Sequence, residues 1–363
     1  MKTRPLFLVA VPFLLIGIIL PPVIAQLARL PALQPAFQVT TSYALPPARA
    51  QQTVYRLVPQ LTTGQDVADR VGLLGLQGIG PNQIRQVEDG FAVSDGTWDY
   101  TLDTKRQFES LLDHRVMTGQ TGYSPVIPSA EQCRQLALEF LANNNLVEGT
   151  RYERLSYERT NEILRAFVRL EERGQPPGNP RVVLREVVFG KYIGSTPVIG
   201  AGSRVSVFIG DEGQVVGFMS NWMPVVPTGQ RLDVVPPAQA ANLLKGQLAT
   251  VNQSLPDPKL QLRQVSAEAC RYALQGFTNK QGQQVLMPIY QFRGQLTDKR
   301  NRTCDFTYRV LAPENLPEVK RSLDLTIPPS LQPPPRPQQP ITPKMWPGGL
   351  IIKKAPPGQE PLQ

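Results

Sequence analysis

The sequence predicts an α+β protein in which a helix followed by an antiparallel meander occurs three times in tandem. Three observations carry this reading. Helix-start signals recur along the chain, at Thr62, Ser129 and Pro236-Pro237. Each is followed by one stretch with apolar residues at helical spacing, then by strand-like runs separated by turn residues. Charged residues are only 18% while Pro (37) and Gly (28) are abundant, the balance of a chain rich in strands and turns.

The first 25 residues read as a leader. Lys2 and Arg4 precede the apolar run Leu6–Leu20, and Val23-Ile24-Ala25 places small residues before a cut between Ala25 and Gln26. The apolar character continues through Pro21-Pro22-Val23-Ile24 to a length that also suits an uncleaved N-terminal membrane anchor. Both readings put the bulk of the chain outside the cytoplasm. Residues 26–50, with scattered Pro and Ala, read as a linker.

The first α+β unit is expected over 51–125. Thr53–Leu57 is a strand, Thr62 and Gln65 form a capping box, and Val67, Ala68, Val71 and Leu74 share one helical face that Gly75 terminates. Phe91–Val93 and Trp98–Leu102 flank Asp95-Gly96 as a hairpin. The second unit, 126–226, opens with a capping box from Ser129 to Gln132 and the amphipathic helix Cys133, Leu136, Ala137, Phe140 and Leu141. Strands follow at Tyr152–Tyr157, Ile163–Leu170 and Val182–Tyr192, with a loop at Arg173–Pro180 and a hairpin joining Val205–Ile209 to Val215–Trp222. The third unit, 230–327, carries Ala240, Leu243, Leu244 and Leu248 on its helix face, then strands at Leu260–Leu274, Val285–Leu296 and Cys304–Leu311. Residues 328–363 hold 12 prolines and form a disordered Pro-rich tail. Trp346 within it is either a tail anchor for a partner or a plain exposed aromatic.

The residue inventory points away from catalysis. A single histidine, His114, leaves nucleophile–base chemistry one candidate, and no G-x-S-x-G occurs. No metal ligand set is expected: the three cysteines lack metal spacing, and Asp95, Asp99 and Asp103 are explained by turn chemistry and an exposed strand face. Glu153, Glu158 and Glu162 alternate with Arg151, Arg154, Arg159 and Arg165, the pattern of a salt-bridged exposed sheet face, although paired carboxylates leave an unrecognised carboxylate-dependent hydrolase as a minor alternative. Gly200-Ala201-Gly202 lacks the following glycine and helix of a phosphate loop and reads as a turn. No cofactor is expected.

In an exported chain Cys270 and Cys304, both on strand-like segments, are a possible disulfide, and Cys133 reads as a small core hydrophobe. The net charge is +9, about +7 without Lys2 and Arg4. The hairpin tip Lys299, Arg300 and Arg302 is the cluster most suited to an anionic partner, with a solubilising loop as its plain reading. It has no interleaved aromatics, so nucleic acid is not an expected partner.

Ser129-Ala130-Glu131-Gln132-Cys133 through Ala137 and Leu141 resembles the opening helix of a PepSY-type domain. Val205–Ile209 with Asp211, Gly213, Val215 and Val216 is similar to its closing hairpin, and Leu286–Gly294 looks like a recurrent strand of related tandem proteins, including the extracytoplasmic YycH/YycI-type kinase regulators. The resemblance spans roughly residues 51–312, and Tyr152–Val183 departs from a minimal unit. It implies binding, inhibition or folding assistance without catalytic residues. The expectation is therefore a non-catalytic extracytoplasmic regulator of a secreted protease or membrane sensor. The alternative is a structural envelope protein held to an anionic cell-wall polymer.

Overall fold

In the computed structural model the residues described are 37–74, 81–113, 116, 125–147, 149–165, 181–255 and 257–325. The leader, residues 26–36 of the expected linker, His114, the loop 173–180, the proline-rich tail and Trp346 lie outside them. The rest of that segment is not a plain linker: Phe37 is buried and Gln38–Thr41 is a strand, because its side chains complete an apolar cluster of the sheet. Among the described residues the chain is α+β, with four helices and fifteen strands. No helix among them is long and apolar enough to cross a membrane.

Helix α1 (Gly64–Leu73) starts one residue later than the sequence suggested. Its N-cap is Thr63, whose side chain accepts from the Asp66 N–H, and the capping box closes on Asp66 rather than Gln65. The charged acceptor prevails because its Oδ2 takes the N–H groups of both Thr63 (2.8 Å) and Thr62 (2.9 Å), and these bonds, the Thr62 one foremost, hold its carboxyl below the usual range. Helix α2 (Ala130–Asn143) carries the expected Ser129–Gln132 box and buries Cys133, Ala137 and Leu141. Helix α3 (Pro237–Ser254) begins with Pro237 in its first turn and buries Ala240, Leu244 and Leu248. Leu243 is instead exposed, because the buried row runs along i, i+4 through 240, 244 and 248 and takes in Gln247 rather than Leu243. Helix α4 (Leu316–Ser322), unforeseen, caps the chain's last apolar cluster.

The strands are β1 (Gln38–Thr41), β2 (Gln51–Leu57), β3 (Arg85–Val87), β4 (Gly90–Ser94), β5 (Trp98–Asp103), β6 (Phe108–Asp113), β7 (Glu153–Arg165), β8 (Arg181–Ile193), β9 (Thr196–Ile199), β10 (Arg204–Ile209), β11 (Val215–Ser220), β12 (Val225–Asp233), β13 (Leu262–Thr278), β14 (Gln284–Asp298) and β15 (Thr303–Leu311). They pair in the order β12-β2-β14-β13-β9-β8-β10-β11-β6-β5-β4-β3, with β1 on β13, β15 on β14 and β7 on β8. Helix and then antiparallel strands do follow one another three times, as α1 with β3–β6, α2 with β7–β11, and α3 with β13–β15. The strands do not, however, divide at the expected unit boundaries. β2 pairs with β12 and β14, β6 with β11, and short β9 bridges β8 to β13, so the described residues, all between 37 and 325, form one compact unit. β7 is likewise one strand where two were expected, bulged near Glu158 and between Ile163 and Leu164.

Helix α2 lies over the β8–β10–β11 face, where Val187, Phe189, Val205, Val207 and Phe218 close a core with α1. Helix α3 lies over β13–β15, against Tyr290, Phe292, Phe306 and Tyr308. The other face of β14 is covered at its Val285–Ile289 end by Val319 of α4; further along it Gln291 is buried and Arg293 and Gln295 are exposed. Gly294 permits the tight pairing at the β13 bulge: a Cβ there would meet the Ser266 carbonyl oxygen at 1.9 Å.

The register overturns the expected disulfide. Cys270 stands opposite Phe292 and thus level with Tyr308, while Cys304 stands opposite Leu296. The two are a whole strand apart and four residues out of step, roughly 16 Å by strand geometry, far beyond the roughly 7 Å at which cysteines can bridge. Both are free and pack against the α3 core. Burial pushes the Cys270 thiol up to about 12. Alkylation of the unreduced protein in denaturant should label Cys133, Cys270 and Cys304 alike; a Cys270–Cys304 linked peptide by mass spectrometry would contradict this register.

Candidate functional site

The basic hairpin tip is held by its own chain. Lys299 donates to Gln261 (2.8 Å), Arg300 pairs with Asp257 (2.8 Å) and Arg302 with Asp298 (2.7 Å). Asp298 also accepts the N–H groups of Arg300 and Arg302. The tip is thus a knitted turn with two of its three charges answered by carboxylates of its own chain. Asp95 likewise accepts from the N–H groups of Thr97 and Trp98, and Asp103 from that of Arg106. Among the described residues no cluster suits a metal ion. Gly200 and Gly202 both have positive φ, and a Cβ on Gly202 would strike Leu57, so this segment is a turn packed on β2.

The acidic series on β7 splits. Glu162 pairs with Arg185 (2.7 Å), and Glu158 with Arg159 (3.4 Å) and Arg204 (3.6 Å), as an exposed sheet face should. Glu153 departs from that expectation. Its side chain is fully buried and meets the equally buried Lys191 at 2.8 Å. Lys191 also donates to the Met223 carbonyl and lies 4.2 Å from the centre of the Trp222 ring. Glu153 Oε1 accepts from Thr150 N (3.0 Å) and Val225 N (3.4 Å), and the Thr150 hydroxyl donates to the Val225 carbonyl. One ion pair therefore ties the start of β7, the end of β8 and the start of β12. Burial outweighs the nearby carboxylate and lowers the Lys191 pKa from its ordinary 10.5 to about 8. A second buried pair, Arg70–Glu109 at 2.6 Å, joins α1 to β6; Arg70 also donates to the Leu146 carbonyl and Tyr100 to Glu109.

Three arginines that the sequence did not single out gather on one face of the β13–β15 hairpins. Arg271 of β13 and Arg309 of β15 stand on either side of Gln291 of β14, and Arg293 stands two residues further along β14, between Ala269 and Thr307. All four side chains belong to the open face of the sheet. Gln291 is buried and accepts from Arg271 Nε at 2.7 Å. The Arg309 Nε is buried without a hydrogen-bond partner. Loss of hydration, then the charge of Arg293, lowers the pKa of both Arg271 and Arg309. None of the three forms an ion pair with a carboxylate among the described residues. Their sequence signal was only that each falls on the polar phase of its strand; register supplies the rest. Elsewhere a cleft of about 220 Å³ is bounded by Arg56, Lys105, Gln107 and Gln284.

The buried pair makes two predictions. Lys191→Met leaves Glu153 buried without a counter-charge and should cost about 3–5 kcal/mol in urea unfolding, whereas Lys191→Met with Glu153→Leu should recover much of it. The pH dependence follows from the lowered pKa. Between about pH 8 and 10.5 the unfolded chain holds the Lys191 proton and the folded chain releases it. The contribution of Lys191 to stability thus rises across that window and is lost as pH falls through about 8. The raised cysteine pKa values act oppositely above 9. The difference between the wild type and the double variant should therefore isolate the Lys191 rise.

No family model matches the chain, and no curated protein matches it. Among solved structures it is similar to the crystal structure of an uncharacterized protein from Eubacterium rectale. The identity is 10% over 75% of this chain and 87% of the other, and the TM-score is 0.39. A likeness of that degree carries no argument about function.

Proposed function

We propose that the chain is a non-catalytic extracytoplasmic binding or regulatory protein of PepSY-like helix-and-meander units, engaging another exported or membrane protein such as a secreted protease or a sensor. The observation that supports this reading is the outer edge of β15. Its nine residues pair with β14 without a register shift, and no other strand among the described residues pairs with it. An unbroken edge of that length offers backbone donors and acceptors to an added strand. The longer edge strand β7 is less suited, since two bulges and a row of charges interrupt it.

A second reading rests on a different observation. The arginine face of β13–β15 would hold a structural protein to an anionic wall polymer through charge, which salt screens. A photo-crosslinker at exposed Thr303 of β15 should capture one dominant exported or membrane protein, and the same group at exposed Leu243 of α3 should not. Equal capture at both positions, or none, would count against strand addition. Co-sedimentation with purified wall material that vanishes in high salt would then favour the structural reading.

A further inference from the structure

We propose that Arg271, Arg293 and Arg309 form a binding site for a phosphate-class oxyanion on the open face of β13–β14–β15. The site is independent of the β15 edge and names the chemistry that the charge-based reading leaves open. Its geometry follows from register. Arg293 is the diagonal neighbour of Arg271 on one side and of Arg309 on the other. Diagonal Cβ atoms in a sheet are about 7–8 Å apart, a separation that guanidiniums on flexible stems span easily. Three like charges are thus gathered on a rigid platform, where they repel one another unless a counter-charge sits among them.

The protein supplies little of that counter-charge. Glu158 is the carboxylate whose charge reaches Arg271, and it is shared with Arg159 and Arg204. Asp305 stands diagonal to Arg293 but takes a hydrogen bond from Gln295, and neither it nor Glu268 forms an ion pair with an arginine. Meanwhile Gln291 anchors Arg271 through Nε, leaving its terminal amino groups without a protein partner among the described residues. Buried Arg309 Nε is an unanswered donor on the same face.

The donor count selects the ligand class. One carboxylate offers two oxygens and is satisfied by one or two guanidinium forks. A free or terminal phosphate group presents three or more acceptor oxygens and carries between one and two negative charges near neutral pH, which suits three neighbouring arginines. The source of the phosphate is either a small free anion or the repeating groups of a polymer, each unit of which carries one negative charge and is joined by its neighbours in meeting the three arginines. Both present phosphoryl oxygens to the guanidinium forks.

The test is titration calorimetry of the whole protein with inorganic phosphate at constant ionic strength, with chloride as the reference anion. Saturable binding is expected. It should weaken at least tenfold in Arg293→Gln and in Arg309→Gln and stay unchanged in Arg302→Gln at the hairpin tip. Arg293→Lys, which keeps the charge and loses the fork, should fall between wild type and Arg293→Gln. Linear polyphosphate separates the sources: tighter binding per phosphate group marks a polymer, and equal binding marks a free anion. Absence of saturable binding, or binding indifferent to Arg293→Gln, would overturn the proposal. Displacement of phosphate by oligo-glutamate at lower concentration would also overturn it, assigning the face to a carboxylate-bearing partner. Failure here would leave the capture experiment at Thr303 untouched.

Discussion

The buried Lys191–Glu153 pair is the constraint on which the rest of the architecture turns. Desolvating two charges costs several kcal/mol per ion and is offset only by close, well-directed contacts. The protein provides them by converging separate segments: the start of β7, the end of β8, the Trp222–Met223 link and the start of β12. β12 pairs with β2, and β2 with β14, so this knot stands where the β3–β11 side of the sheet passes into the β13–β15 side. Short β9, hydrogen-bonded to both β8 and β13, follows immediately after it in the chain. A buried pair of this kind adds little net stability compared with apolar residues. Its effect is to make one arrangement of four segments far better than its neighbours.

From that junction outward, strand register decides which side chains meet. On β13–β15 the even-numbered residues Cys270, Phe292 and Tyr308 face α3, and the odd-numbered Arg271, Arg293 and Arg309 face away. A slip of one residue would drive the arginines into the α3 core and expose its aromatic rings. The packing of α3 therefore fixes the arginine face. Gln291, buried between Arg271 and Arg309, serves both sides of the argument because it fills space and directs a guanidinium.

Much of the local structure was legible in the sequence. The Ser129–Gln132 box, the helix face of Cys133, Ala137 and Leu141, the Asp95-Gly96 hairpin and the strands of the third region all stand where their patterns indicated, because each signal is local. The capping box at Thr63 was displaced by one residue, since a carboxylate outcompetes an amide for two adjacent N–H groups. What the sequence withheld is long-range. Nothing in Gln51–Leu57 indicates that it leaves its own helix to pair with strands some 170 and 230 residues away. Glu153 looked like its neighbours Glu158 and Glu162, and only the fold shows that it alone points inward. The three arginines are separated by two hairpins, and the disulfide expectation failed for the same reason: register is invisible in composition.

The central claim is that a single continuous sheet, knotted at Lys191, replaces three independent units. Equilibrium urea unfolding of the whole chain, followed by far-ultraviolet circular dichroism and by fluorescence of Trp98 and Trp222, tests it most directly. One sheet predicts a single transition with the same midpoint by both probes. Separate midpoints, or a plateau in which the fluorescence has changed and much of the strand signal remains, would contradict it and restore the picture of units that fold apart.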